Sequence, residues 1–384
     1  MPALRDLALT RAPSAAFAAM ALFWGMLAAL MPQIKTRAGA SDAELGLLLL
    51  LATCGAGVAV LLAGPLERAL AGRAAALSAL AMAVALALLG AADTRLLFGV
   101  ALFVGGTASG LMDVTVNVRI ARTEAGTGRG LMNLVHGIYA VALALAAFSA
   151  GLAREGGVPL PVILWVAALL VLPLALACAG ADPDARPEPA AVGRPPAGAG
   201  ALVAAGGAVI LVGFIAEQAS DGWSALHLER SAGAGPAAAA LGPVILSLAT
   251  GVGRLSAQAV LGRVGEAALL RWAAGFAAAG AGLAAWAPGL GWAYLGFAAM
   301  GLGVSVIVPL ALALVGRGAG ERRMRAISLA SAIGYTGFFL GPPAMGFLSE
   351  WQGLWLSFLA VAGALALIPL ALGPWLAAST RRSG

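Results

Sequence analysis

The feature that most constrains this 384-residue sequence is a series of long apolar stretches that recur along nearly its whole length. An α-helix rises 1.5 Å per residue, so about twenty apolar residues cross a hydrocarbon core about 30 Å thick. Only 10% of the residues are charged, against about a quarter in soluble domains, which leaves too few for a water-facing surface. The pattern therefore predicts an all-α membrane protein.

The apolar stretches divide into twelve predicted spans on either side of a proline-rich segment. The spans are 14–33, 43–64, 74–92, 96–118, 130–153, 158–180, 201–227, 237–261, 268–287, 290–315, 326–348 and 353–376. Residues 181–200 contain five prolines and mixed charges, which predicts a non-helical linker. We therefore expect a six-helix bundle at 1–180, a cytoplasmic linker at 181–200 and a second six-helix bundle at 201–384.

The basic residues orient these spans. With the amino terminus inside, seventeen Arg residues lie in cytoplasmic segments and five Lys or Arg residues in outer loops. This asymmetry predicts that both termini are cytoplasmic in a bacterial inner membrane. The net charge of +6 is thus a topology signal, and we expect no nucleic-acid partner. The first span is interpreted as a membrane helix and not as a cleaved signal peptide. The two cysteines, Cys54 and Cys178, lie far apart in the sequence and predict neither a disulfide nor a metal site.

The loops after spans 2 and 8 share a glycine and arginine pattern. They read GPLERALAGR and VLGRVGEAALLR, and their motif residues are Glu67, Arg68, Arg73, Gly262, Arg263 and Gly265. With twelve spans and a long central loop, this pattern resembles the major facilitator superfamily, whose loop signature is of the type G-x-L-a-D-R-x-G-R. Gly262 stands where that family usually has Asp, and Glu67-Arg68 replaces Asp-Arg. The resemblance implies twelve transmembrane helices in two pseudo-symmetric six-helix bundles that work by alternating access.

A narrower resemblance lies in the helices themselves. The segments 110–117, 132–137, 221–224 and 334–343 are similar to a bacterial branch of that superfamily. This similarity sharpens family membership more than function.

Ionisable residues inside spans are functional candidates because each is costly in lipid. Asp113 in span 4 and His136 in span 5 lie at similar depth, and Asp113 shares a helix face with Asn117. Burial and pairing can bring such groups into the physiological titration range. We predict either a proton-coupling pair or a fixed polar clamp near the cytoplasmic gate with Arg119 or Arg122.

Span 7 carries two more carboxylates in its outer part. Glu217 is a candidate substrate or proton site, whereas Asp221 either faces the cavity or lies at the outer interface. Trp223 is interpreted as an interfacial anchor or a ring that stacks on substrate. Arg254, near the inner end of span 8, is a structural partner of the loop that contains Glu266 or an anion-binding group.

Further polar and aromatic residues are candidates to line a substrate cavity. They are Trp24, Gln33, Thr53, Asn117, Asn133, Tyr139, Gln218, Trp223 and Tyr335. No ATP-binding loop is present, and span 5 lacks the proline of the G-x-x-x-G-P run that drug:proton antiporters of the superfamily carry. The polar cluster in spans 4, 5 and 7 favours a small polar organic solute, sugar-like or another metabolite, and we predict a proton-coupled symporter. Drug or metabolite efflux by proton antiport is the alternative.

Two other classes of protein were weighed. A membrane-embedded enzyme would need convergent catalytic groups, yet the two histidines, His136 and His227, are predicted on opposite sides of the membrane. A non-transporting sensor of the same fold would bind a ligand without moving it. We expect no cofactor, a monomer, and a small-molecule substrate, protons and the lipid bilayer as partners.

Overall fold

The fold is helical throughout the part of the chain that the structure describes. The structure is a computed structural model that describes residues 2–70, 72–179 and 200–383, without the side chains at 2–5, 220, 221, 258 and 381–383. The predicted linker 181–200 lies almost wholly outside these residues. The helices are α1 Pro2–Leu9, α2 Arg11–Ala38, α3 Asp42–Leu70, α4 Ala74–Ala91, α5 Arg95–Thr127, α6 Met132–Glu155, α7 Leu160–Cys178, α8 Gly200–Ala232, α9 Pro236–Val264, α10 Glu266–Ala285, α11 Leu290–Gly318, α12 Arg323–Gln352, α13 Leu354–Leu367 and α14 Gly373–Ser383.

The predicted all-α fold with twelve spans is confirmed. Helices α2 to α12 each correspond to one span, and α13 with α14 forms the twelfth. By length and composition, eleven of the described segments are apolar enough to cross a membrane; α12 is as long but is not among them. The twelfth span is not one regular helix, because a π-helical turn that contains Pro369 interrupts it.

Most helices are longer than the predicted spans. Helix α5 continues to Thr127, beyond the predicted end at 118, and α8 continues to Ala232, beyond 227. Apolar composition marks the part of a helix in hydrocarbon, but hydrogen bonding continues past that boundary until a cap ends it. Gly128, in the left-handed region at φ 67°, caps α5.

The described helices form two compact units. The first contains α1 to α7 together with Gly235–Val244, the beginning of α9. The second contains α8, the rest of α9 from Ile245, and α10 to α14. The division into bundles at 1–180 and 201–384 stays a prediction.

Small residues let the helices of each unit approach closely. In the first unit α3 and α5 meet at Gly106, where a Cβ would lie 2.0 Å from the carbonyl oxygen of Ala52. Large apolar side chains such as Leu61 and Leu176 point outwards instead and are largely exposed. This inside-out arrangement is expected where lipid replaces water, because tight backbone packing then drives helix association.

Polar contacts join the end of α2 to the starts of α3 and α5. Lys35 and Asp42 form a buried ion pair at 2.8 Å. Ser41 and Glu44 cap α3 reciprocally, the Ser41 N–H donating to the Glu44 carboxylate at 2.8 Å. Arg95, at the start of α5, donates to the Gly39 carbonyl at 2.8 Å. These contacts set the rotation of the helices that carry the site.

Candidate functional site

Helix α5 presents a polar stripe on one face of the first unit. Ser109, Asp113 and Asn117 are spaced by four residues, so they stand above one another. The Trp24 Nε1–H of α2 donates to Ser109 Oγ at 3.0 Å, and Asn117 Nδ2 donates to Asp113 Oδ1 at 3.0 Å. Asp113 is exposed at the surface of this unit. A carboxylate that faces lipid costs roughly 3 kcal/mol or more, so this face is suited to water.

Helix α6 holds His136 beside that stripe. The Glu124 carboxylate caps the start of α6 by accepting from the Leu131 N–H and, at 2.8 Å, from the Met132 N–H. His136 Nδ1 lies 3.0 Å from the Met132 carbonyl oxygen, and its ring packs edge-on against Phe17 of α2 at 5.1 Å. The imidazole is therefore held from two sides.

Asp113 and His136 lie within electrostatic reach of each other. Among the described residues they form no ion pair within 4.0 Å, so the predicted pair is open rather than closed. His136 acts on Asp113 through space, whereas Asn117 donates a hydrogen bond to it. The alternative clamp with Arg119 or Arg122 stays a prediction.

Arg119 and Arg122 instead line a small cavity of the first unit with Glu67 and Cys178. Its volume of about 30 Å³ has room for about two water molecules. The cavity is too small for an organic solute in this conformation.

The two glycine and arginine motifs lie partly in helices rather than in loops, which corrects the prediction. Glu67 and Arg68 belong to the end of α3, whereas Arg73 immediately precedes α4. The turns come later, at Gly72 with φ 77° and Gly265 with φ 72°, where only glycine is unstrained.

The second motif follows the same pattern at the end of α9. Gly262 and Arg263 lie within that helix, and Arg263 Nη1 donates to the Ala259 carbonyl at 3.2 Å. This bond satisfies one carbonyl of the last helical turn.

In the second unit, aromatic rings stack where α8 meets α12. Phe214 stacks on Phe338 with 4.2 Å between ring centroids and on Tyr335 with 5.3 Å. Tyr335 remains 52% exposed. Gln218, one turn after Phe214, lies against Gly341 of α12. The three rings form an aromatic tier with a polar amide at its edge.

Glu217 lies midway along α8, which extends to Ala232. Its predicted position in the outer part of the span stays a prediction. Arg254 of α9 is the charged group that acts on Glu217 electrostatically. Arg254 is exposed at the surface of the second unit. Arg317, and not Arg254, binds both oxygens of the Glu266 carboxylate. A structural role of Arg254 toward the loop that contains Arg263 and Glu266 stays a prediction.

The burial of Trp223 does not match either predicted role, the interfacial anchor or the ring that stacks on substrate. Its side chain is fully buried, and among the described residues its indole N–H has no hydrogen-bond partner. It therefore neither anchors an interface nor offers a ring to a solute in this conformation. The side chain of Asp221 lies outside the described residues.

The remaining cavity candidates have mixed exposure. Asn133 is exposed, Tyr139 is half-buried against Phe17, and Gln33 and Thr53 are half-buried. Sequence reasoning missed Ser109 and Phe214. The four-residue spacing of Ser109 to Asp113 and of Phe214 to Gln218 could have indicated them, because it places each pair on one helix face.

The comparisons with known proteins agree on one family. A model of the Major Facilitator Superfamily matches residues 14–322. An uncharacterised MFS-type transporter of Yersinia pestis is 30% identical over 92% of this chain and 91% of its own length. An uncharacterised transporter of Sinorhizobium fredii is 30% identical over 95% and 97%.

Solved structures show the same fold at low identity. The nucleoside transporter NupG, as a mutant, superposes with a TM-score of 0.75 at 15% identity, covering 95% of this chain and 99% of that one. A D-xylose-proton symporter superposes with a TM-score of 0.66 at 16% identity, covering 96% of each chain. Such relatives are multi-pass membrane transporters and not enzymes. The chain therefore belongs to the Major Facilitator Superfamily.

Proposed function

We propose that this protein is a proton-coupled secondary transporter of a small polar organic solute. The observation that carries the proposal is the open pair of Asp113 and His136 on an exposed polar face of the first unit. A structural ion pair at membrane depth gains most when it closes to contact, whereas a proton-exchanging pair must stay accessible to water.

Hydrogen bonding assigns the roles of the two ring nitrogens of His136. A carbonyl oxygen only accepts, so Nδ1 must carry the hydrogen that it donates to Met132. Nε2 is then the nitrogen with a free lone pair. Asn117 holds one oxygen of Asp113, which leaves the other oxygen to exchange protons with water or with His136.

The solute class is inferred from the polar and aromatic groups that each unit presents by itself. Asn117 and Asn133 offer amide donors and acceptors in the first unit, and Gln218 and Tyr335 offer an amide and an exposed ring in the second. A small number of hydrogen-bonding groups beside aromatic side chains is a lining that suits a small polar molecule. The nucleoside and D-xylose transporters of the same fold support this choice.

We also propose the cellular setting. The excess of arginine in alternate loops supports a bacterial inner-membrane protein with both termini in the cytoplasm. Residues 1–180 and 201–384 would then be the two bundles, joined by a cytoplasmic linker.

The test is gradient-driven transport by Asp113→Asn in proteoliposomes. Thermal stabilisation of the purified protein, screened with pentoses, hexoses and nucleosides, first selects the solute. We expect the wild type to accumulate it against its gradient when the lumen is alkaline. Asp113→Asn should still exchange solute in counterflow but not accumulate it.

Asp93→Asn is the matched control, because Asp93 is an exposed carboxylate in the turn just before α5. It should transport like the wild type. Full gradient-driven accumulation by Asp113→Asn would remove Asp113 from this role. A wild type that ignores the pH gradient would refute proton coupling itself.

A further inference from the structure

Helix α9 carries an arginine at membrane depth that no described residue contacts directly. Arg254 lies about 27 Å along α9 from Pro236 and about 15 Å before Val264. It is exposed, and among the described residues it forms neither a hydrogen bond nor an ion pair. A guanidinium at such depth is costly unless water or an opposite charge compensates it.

The packing of α9 fixes where this arginine points. The preceding residue, Gly253, lies so close to α11 that a Cβ there would be 2.3 Å from Ser305 Oγ and 2.7 Å from the Leu302 carbonyl oxygen. This contact sets the rotation of α9. Arg254 follows about 100° further around the helix and leaves the interface with α11 for the exposed side.

Glu217 is the opposite charge within reach. Arg254 acts on its carboxylate electrostatically, yet neither group contacts the other within 4.0 Å. Among the described side chains, the helices that pack on α8 add no other charge at this depth. Helix α13 has none, and α11 and α12 carry theirs only in their terminal turns. Helix α14 carries Arg381 and Arg382 at its end, and their side chains are not described. The side chain of Asp221, one turn away, is not described.

This open arrangement contrasts with the other charge pairs of the protein. Lys35 and Asp42 close to 2.8 Å, and Arg317 binds Glu266 through both carboxylate oxygens. A guanidinium presents a planar fork that matches a carboxylate in two parallel hydrogen bonds. The guanidinium N–H groups of Arg254 have no acceptor among the described residues. Because the protein is a transporter, the carboxylate that accepts from them can belong to the solute.

We propose that Arg254 binds the carboxylate of an organic anion and that Glu217 takes up the proton that accompanies it. The proposal rests on the proposed function and names the substrate class of that transporter. With Glu217 ionised, the incoming anion must share one guanidinium with a second carboxylate and is repelled. With Glu217 protonated, Arg254 and the anion neutralise each other. The proton on Glu217 thus compensates the charge of one monovalent anion.

The surroundings suit the rest of such a solute. Phe214 lies one turn before Glu217, on the side where the aromatic tier of Phe214, Phe338 and Tyr335 begins. An exposed ring provides an apolar wall for a carbon skeleton or a planar ring. Gln218 provides an amide for a hydroxyl or carbonyl group of the solute.

The experiment measures binding of matched acids and neutral analogues to the purified full-length protein. The probes are D-galacturonate and D-galactose, nicotinate and nicotinamide, and orotate and uracil, measured by thermal stabilisation and calorimetry. We expect at least one acid to bind and its neutral analogue to bind much more weakly. Arg254→Gln should weaken that acid roughly 10- to 100-fold, the loss expected for charge-assisted hydrogen bonds, and Arg254→Lys should weaken it less.

For Glu217→Gln we expect acid affinity to change in the opposite direction, to stronger binding. A misfolded variant would not show such a gain. Removing the competing carboxylate should strengthen acid binding at pH 7.5 and abolish its increase at lower pH. Arg263→Gln, on the same helix, is the control and should bind like the wild type, because Arg263 contacts its own helix carbonyl.

Three results would overturn the proposal: no acid binds the wild type, neutral analogues bind as well, or acid binding survives Arg254→Gln unchanged. Asp113→Asn is measured alongside to separate the two proposals. If Asp113→Asn still binds the acid and still accumulates solute along the proton gradient, the result contradicts only the role of Asp113. Gradient-driven uptake that survives Arg254→Gln contradicts only the anion site.

Discussion

Replacing Gly106 by Ala tests whether the backbone contact between α3 and α5 holds the first unit together. A Cβ at position 106 would lie 2.0 Å from the Ala52 carbonyl oxygen and 2.6 Å from its carbon. Carbon and oxygen atoms that touch normally stay about 3.3 Å apart. The two helices would have to separate by about 1 Å, because both partners are backbone and no side chain can rotate aside.

The net effect is the difference between two opposing contributions. Overpacking costs about 1–3 kcal/mol, and the upper end applies where a helix axis must move. Replacing glycine by alanine inside a helix stabilises by about 1 kcal/mol. We therefore expect Gly106→Ala to lower the free energy of unfolding by about 2 kcal/mol. Because α5 also carries Asp113, the same change should reduce gradient-driven transport.

Gly126→Ala on the same helix is the control. Nothing lies within 4 Å of a Cβ at that position, so only the helix contribution of up to about 1 kcal/mol remains. Both variants are unfolded in detergent by heat and by denaturant and compared with the wild type. The reasoning is refuted if Gly106→Ala is as stable as the wild type, or if both variants lose stability equally.

Three further changes test polar contacts of the fold in the same unfolding assay. Asp42→Ala leaves Lys35 buried without its ion-pair partner and should lower the free energy of unfolding by about 3–5 kcal/mol. Adding Lys35→Met should recover most of that loss. An unchanged unfolding midpoint for Asp42→Ala alone would contradict burial of the pair. Glu124→Ala uncaps α6 and should cost about 1 kcal/mol, with Glu124→Gln between it and the wild type. His227→Leu removes the donor that reaches the Ala284 carbonyl at 2.9 Å and should cost about 1–3 kcal/mol; a variant as stable as the wild type would show that water replaces the ring.

The fold could be predicted from sequence because its strongest constraint is local. An apolar stretch of the right length specifies a spanning helix without reference to any other residue. The polar stripe of α5 was also local, since Asp113 and Asn117 share a face at four-residue spacing. Their hydrogen bond at 3.0 Å follows from that spacing alone.

The partners across helices could not be predicted in the same way. Glu217 and Arg254 are 37 residues apart, on helices that end at Ala232 and begin at Pro236. Their relative depth depends on where α8 ends, and composition does not mark an end that lies beyond the hydrocarbon. Trp223 shows the same limit, because tryptophan near a span end suggests an interface while packing within the unit buries it completely.

The charge pairs themselves distinguish structural from working groups. A closed pair such as Lys35–Asp42 satisfies both members at 2.8 Å, and a solute or proton could enter only by breaking it. The open pairs, Asp113 with His136 and Glu217 with Arg254, leave binding capacity unused at a depth where unsatisfied charge is expensive. Such an arrangement persists only if water, a proton or a solute completes it during part of the working cycle. Giving Asp113 a permanent charged partner, for instance by Asn117→Arg one turn away on α5, should therefore stabilise the protein and slow transport together.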